Sequence, residues 1–198
     1  PEMWVDVKSA ALQGFACRLD GETMESWAIA AAPGDPLLGA WHDEYAKAIR
    51  NGVGRYCEEL DARGLITDGL RCALPYLAIH AAWRAARASL PEAALQLRSS
   101  VEKGAPFYYL RLFGWDSLAA VSAIFAADAG EEILEGCPFV KLRRCERECV
   151  PPLAALGRAS WLAKRLVGEE EEAEEHNVTG LESMNSASLA VGAGGGGK

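Results

Sequence analysis

Three side chains in this sequence have the chemistry for a reactive site, the carboxylate of Asp6, the imidazole of His80 and the ammonium group of Lys141. Asp6 belongs to an alternating run, Met3-Trp4-Val5-Asp6-Val7-Lys8, which predicts a short strand whose end presents Asp6 and Lys8. A carboxylate fixed at a strand end can hold a divalent cation, because the loop beyond it leaves coordination positions open; standing alone, such a carboxylate is more often a solvated or capping group. His80 lies in an apolar stretch, where a neutral ring either orients a hydroxyl as donor and acceptor or sits as a satisfied core histidine between Tyr76 and Arg84. Lys141 is in a basic segment, Phe139-Val140-Lys141-Leu142-Arg143-Arg144, that follows a turn at Gly136-Cys137-Pro138. Trp27 is a core aromatic by default and a platform for a sugar ring if exposed.

Six cysteines are spread through the chain without a C-x-x-C pair, which argues against a zinc ribbon or a thioredoxin-like motif. Cys137, Cys145 and Cys149 are the one cluster, with seven and three residues between them. Buried thiols, an optional disulfide and a zinc site completed by a distant histidine all fit that spacing.

The elements that must position these groups are mostly helical. Asp35-Pro36 starts a helix, with Asp35 as N-cap and proline at the first helical position, and Leu37, Leu38, Trp41, Tyr45, Ala48 and Ile49 give it an apolar stripe up to Asn51-Gly52. Leu74 to Ala88 predicts a second helix, and Ser89-Leu90-Pro91-Glu92 a capping box opening a third that runs to Lys103. Asp116-Ser117 caps Leu118 to Ala127, and a last helix is expected over Leu153 to Val167 with Trp161 as its core anchor. Ser26 to Ala32 fits a strand or a helical turn. Trp41, Trp83, Trp115 and Trp161 are assigned to packing, and His42 and His176 to solvent.

The 198 residues carry a net charge of −8, with 50% apolar residues, enough for a folded core. Seven glutamates lie between Gly168 and Lys198 against one lysine, so residues 1–167 carry only −2. The chain is therefore expected to divide into a folded part, 1–167, and a disordered acidic and glycine-rich tail, 168–198. The near-neutral folded part gives no field for nucleic acid and no basic helix for a membrane surface. No stretch approaches the roughly 20 apolar residues that span a bilayer.

Trp4-Val5-Asp6-Val7-Lys8, then Ser26-Trp27-Ala28-Ile29-Ala30-Ala31-Ala32-Pro33-Gly34-Asp35-Pro36-Leu37-Leu38 with Trp41 following, resembles the sugar-binding region of glycosyltransferases with a DXD motif, nearest the capsular polysaccharide synthesis group. Pro75-Tyr76-Leu77-Ala78-Ile79-His80 and Pro138-Phe139-Val140-Lys141-Leu142 are similar to two further segments of that group, in the same order. The resemblance implies an α/β, helix-rich chain forming the C-terminal portion of a GT-A-like nucleotide-diphospho-sugar transferase fold, with a nucleotide-sugar donor, a glycan acceptor and a divalent cation, Mn2+ or Mg2+. It implies Asp6 and His80 as catalytic groups, Asp6 also as the metal-binding carboxylate, and Trp4, Lys8, Ser26, Trp27 and Lys141 at the donor. A departing nucleoside diphosphate needs positive charge, which a metal or a lysine supplies. The chain departs from the pattern at Lys8, where a second aspartate is expected, and at Pro75, where an acidic residue is common. These departures carry the alternative of a catalytically inactive helical interaction module derived from such an enzyme. The opening on Pro1 leaves room for an upstream portion; a Golgi-luminal or membrane-associated location follows if that portion holds an anchor, and a cytoplasmic one otherwise.

Overall fold

The computed structural model describes residues 5, 6, 8–125, 133–137 and 139–152. It is a mixed α/β structure in which three strands, β1 (Leu12–Ala16), β2 (Met24–Ala30) and β3 (Leu95–Ser99), form one sheet in the order β2-β1-β3. Between β2 and β3 come α1 (Pro36–Asn51), α2 (Val53–Ala62), α3 (Asp68–Arg71) and α4 (Ala78–Ser89); after β3 come α5 (Tyr108–Leu112), α6 (Ser117–Phe125) and α7 (Arg144–Cys149). The described residues fall into two compact units, one of 1–114 with 135–141 and one of 115–134 with 142–152.

In the first unit every residue of β1 is buried, and the strand is paired on both edges, antiparallel to β2 and parallel to β3. Its pairing with β3 is regular, whereas two steps along β1, from Gly14 to Ala16, correspond to five along β2, from Ile29 to Met24. β2 is the bulged strand, and the bulge re-aims Ser26, Trp27 and Ala28. Leu12, Gly14 and Ala16 alternate with Gln13 and Phe15 on opposite faces. On the first face Leu12 joins Met24, Leu37, Trp41, Leu60, Leu70 and Trp83 in one apolar core. α1 and α4 meet there through a T-shaped Trp41–Trp83 pair at 5.1 Å and a hydrogen bond from Trp41 Nε1 to the Ile79 carbonyl, 2.8 Å.

α1 forms as the sequence predicts, with the Asp35 carboxylate accepting the Leu38 N–H at 2.8 Å and proline in the first turn. α6 likewise starts where Asp116 accepts the Ala119 N–H at 2.9 Å. The helix expected from Ser89 to Lys103 is not there. Ser89 ends α4, its hydroxyl bonded back to the Ala86 carbonyl at 2.7 Å, and Leu95-Gln96-Leu97-Arg98 alternates in and out as β3. Pairing with a buried strand overrides a local capping signal. The strand expected over Met3 to Lys8 is also replaced: Val5 lies in a bend, Asp6 is irregular and Lys8 is in a turn, while the strand follows at Leu12. The helix expected at Leu153 to Val167, with Trp161, and the tail from Gly168 lie outside the described residues.

The turn between β1 and β2 is held by Asp20. Its carboxylate accepts the Glu22 and Thr23 N–H groups at 3.1 and 2.9 Å, the Thr23 hydroxyl at 2.6 Å and the Thr67 hydroxyl at 2.9 Å. Burial alone would raise its pKa, but these hydrogen bonds outweigh burial and hold it low. Thr67 in turn caps α3, and a Cβ at Gly69 would come within 2.1 Å of the Leu19 carbonyl oxygen. At Gly14 a Cβ would meet the movable end of Met24 at 2.2 Å, with the Ala28 carbonyl at 3.0 Å. We therefore expect Gly69→Ala to destabilise the chain by about 1–3 kcal/mol and Gly14→Ala by less, because a methionine can yield where a backbone carbonyl cannot. Urea denaturation of both variants checks this order.

In the second unit Glu146 of α7 is fully buried. It accepts from the Arg143 backbone N–H at 2.8 Å, from Arg143 Nε and Nη2 at 2.9 and 2.6 Å, and from the Ser117 hydroxyl. Burial opposes its ionisation, but the Arg143 and Ser117 bonds prevail and lower its pKa from 4.5 to about 2. A lowered carboxylate pKa contributes stability that is complete above the unfolded value of 4.5 and is lost as pH falls through about 2. Glu146→Gln should therefore cost on the order of 3 kcal/mol at neutral pH, with the deficit shrinking over that acidic window; urea titrations at several pH values measure it.

Candidate functional site

The second face of β1, bearing Gln13 and Phe15, gathers the residues singled out in the sequence. Phe15 stacks on Trp27 with ring centres 5.4 Å apart and planes at 13°, and Phe107 and Phe139 meet the same indole edge-on at 5.5 and 5.9 Å. Trp27 is half-buried, and Lys141 Nζ lies 5.5 Å from its ring centre, within cation–π range. The Lys141 backbone is fixed from both sides, its N–H donating to the Pro106 carbonyl at 3.2 Å and its carbonyl accepting from the Tyr109 hydroxyl at 3.0 Å.

From Trp27 the contacts continue inward. Its Nε1–H donates to Glu25 Oε2 at 2.9 Å, and that oxygen lies 3.4 Å from His80 Nε2 on α4. Glu25 is 8% exposed and His80 5%. His80 Nδ1 has no hydrogen-bond partner among the described residues. Cys17, just past the end of β1, completes the group: its sulfur, a Glu25 oxygen and a His80 nitrogen all lie within 4.8 Å of one another. Burial, with smaller contributions from the Glu25 and Asp20 charges, pushes the Cys17 thiol from 9.0 to about 12.

Asp6 approaches the same face from the opposite end of β1. Its backbone N–H donates to Gln13 Oε1 and its carbonyl accepts from Gln13 Nε2, both at 2.8 Å, so the peptide is held by a reciprocal pair. The carboxylate itself is exposed and accepts the Lys8 N–H at 3.0 Å. Gln13 and Phe15 are two residues apart, about 7 Å along a strand. Asp6 belongs to no cluster of three metal-type donors among the described residues. Lys8 is exposed and Ser26 half-buried in β2, while Trp4 lies outside the described residues.

Three of the sequence-predicted residues, Trp27, His80 and Lys141, are thus joined in one line, and the link that joins them, Glu25, was not singled out. No spacing marks it, because Glu25 and Trp27 lie in the bulged part of β2, where strict alternation does not hold. Cys17 was likewise counted only as one of six scattered thiols. In the other direction, the Cys137 thiol donates to the Phe139 carbonyl at 2.9 Å, Cys145 is exposed, and neither belongs to a metal-type cluster among the described residues. His42 is solvated beside Asp43, and Trp41 and Trp83 are packed, as expected.

No family model matches this chain, and no curated protein or solved structure matches it either. Among the described residues no helix is long and apolar enough to cross a membrane.

The thiol pKa gives a direct check. A rise from 9.0 to about 12 leaves Cys17 with about a thousandfold less thiolate than an ordinary cysteine at mildly alkaline pH. In the native, chelator-treated chain, iodoacetamide should modify exposed Cys72 and Cys145 at least a hundredfold faster than Cys17, as read by peptide mass mapping; equal rates would contradict the burial.

Proposed function

We propose that the chain is the C-terminal portion of a glycosyltransferase of GT-A-like fold, moving a sugar from a nucleotide-sugar donor to a glycan acceptor. The observation that carries this reading is the continuous line Lys141–Trp27–Glu25–His80, because it connects three separate segments that resemble the capsular polysaccharide synthesis group. Nothing local in the sequence requires residues 27, 80 and 141 to meet.

In this reading the donor diphosphate meets Lys141, a compact cation carried on a backbone fixed by Pro106 and Tyr109. Lys8, exposed at the Asp6 end of the same sheet face, offers a second cation. Charge developing on the leaving diphosphate is stabilised best by groups already in position, since they need no reorganisation during bond breaking. Asp6 is the candidate ligand for Mn2+ or Mg2+, although it belongs to no group of three metal-type donors among the described residues. His80 is too buried to touch an acceptor and acts as a positioning residue, holding Glu25 and through it the Trp27 indole.

A second reading, a catalytically silent helical module, is favoured by that same burial and by the aromatic rings around Trp27. The two separate in one assay. The full-length protein should bind a nucleoside diphosphate or its sugar ester, and release the diphosphate in the presence of Mn2+. Lys141→Ala should weaken that binding about tenfold, about 1.4 kcal/mol, with the far-ultraviolet circular dichroism unchanged. Binding without turnover supports the module, and no binding of any nucleotide sugar at millimolar concentration refutes the transferase.

A further inference from the structure

Cys17, Glu25 and His80 come from three elements of the first unit, the end of β1, the bulged strand β2 and helix α4. All three are buried, at 3%, 8% and 5% exposure. The Glu25 carboxylate accepts the Trp27 Nε1–H at 2.9 Å, but its contact with His80 Nε2, at 3.4 Å, is long for a nitrogen–oxygen hydrogen bond. Among the described residues His80 is the one ion-pair partner of the buried Glu25 carboxylate, at 3.4 Å, and beside it the carboxylate has the Trp27 N–H, whereas a buried carboxylate is best compensated by a full opposite charge.

We propose that Cys17, Glu25 and His80 bind one divalent metal ion of the zinc type, through Sγ, a carboxylate oxygen and Nε2. The donor set suits a borderline-soft ion, since thiolate and imidazole select zinc over magnesium or calcium. Distances agree with this. Zinc–nitrogen and zinc–oxygen bonds of about 2.0–2.2 Å at a tetrahedral angle give an N···O edge of about 3.4 Å and an S···N edge of about 3.6 Å. The His80–Glu25 separation is 3.4 Å, and the sulfur lies within 4.8 Å of both partners, so closure needs a movement of about an ångström or less at the thiol. Charge also balances: a thiolate and a carboxylate neutralise a divalent ion, with the imidazole neutral. Metal entry transfers the Cys17 proton to solvent and forms the metal–sulfur bond in its place, with no change in oxidation state. Three protein donors leave a fourth position for water. The ion would tie β1, β2 and α4 together, and the site stands independently of the transferase reading.

Cobalt provides the probe. The full chain, dialysed against chelator, is titrated with Co2+ and then with Zn2+ near neutral pH. One equivalent of Co2+ should give a thiolate-to-cobalt charge-transfer band with tetrahedral d–d absorption, release about one proton, and be displaced by Zn2+. The band should vanish in Cys17→Ser and weaken at least tenfold in apparent affinity in Glu25→Gln and His80→Gln, while Cys72→Ser and Cys145→Ser retain it. Should these variants not fold, X-ray absorption of the zinc-loaded wild-type chain reads the same point, with one sulfur and the remainder nitrogen or oxygen in the first shell. Failure of the wild-type chain to take up either metal, a first shell without sulfur or with several, or a band surviving Cys17→Ser in a folded protein would overturn the site.

Discussion

The first unit depends on β1 being buried on both faces and paired on both edges. A five-residue strand with no exposed side has to give one face to a core and the other to something else. Leu12 gives the first face to the core it shares with residues of α1 and α4. Gln13 and Phe15 give the second to the Asp6 peptide and to Trp27. Both faces meet at the end of the strand, where Cys17 and Glu25 reach His80 from the sheet side and α4 supplies it from the core side.

That arrangement explains why the site is partly wet and partly dry. Lys141 and Asp6 stand at the accessible margins, while Glu25, His80 and Cys17 are enclosed. Of the two groups at the margin, the Lys141 ammonium attracts an anion and the Asp6 carboxylate repels one. Enclosed groups set orientation or hold an ion, since burial strengthens each electrostatic contact and makes each unmet one costly. The bulge in β2 is the local device that makes this geometry, because the extra residues carry Trp27 over Phe15 while Glu25 turns inward. The turn clamp at Asp20 fixes the register from which that bulge starts.

Local signals were legible and distant pairings were not. α1 could be read nearly residue by residue, since Asp35, Pro36 and the buried stripe Leu37, Trp41 and Ala48 all lie within one helix, although Ile49, expected in that stripe, is exposed. β3 could not, because Leu95 to Ser99 is a strand only by pairing with Leu12 to Ala16, some eighty residues earlier, and the nearby Ser89-to-Glu92 pattern mimics a helix start. β1 was missed for a related reason: buried on both faces, it lacks the alternation that marks a half-exposed strand. In the site, Trp27, His80 and Lys141 were named one at a time by residue type. Glu25 and Cys17 acquire meaning only when the β1–β2 turn brings them to α4, which no spacing in the sequence encodes.

Trp27, Glu25 and His80 form one connected line of contacts, and nitrogen–proton NMR of the indole and imidazole groups, in the native chain and in Glu25→Gln, tests most directly whether they act as a unit. The connected line predicts that the Trp27 Nε1–H and the His80 ring nitrogens move together on that substitution, while the indole of Trp115, in the other unit, holds its position. A Trp27 indole or a His80 ring that does not respond to Glu25→Gln would contradict it.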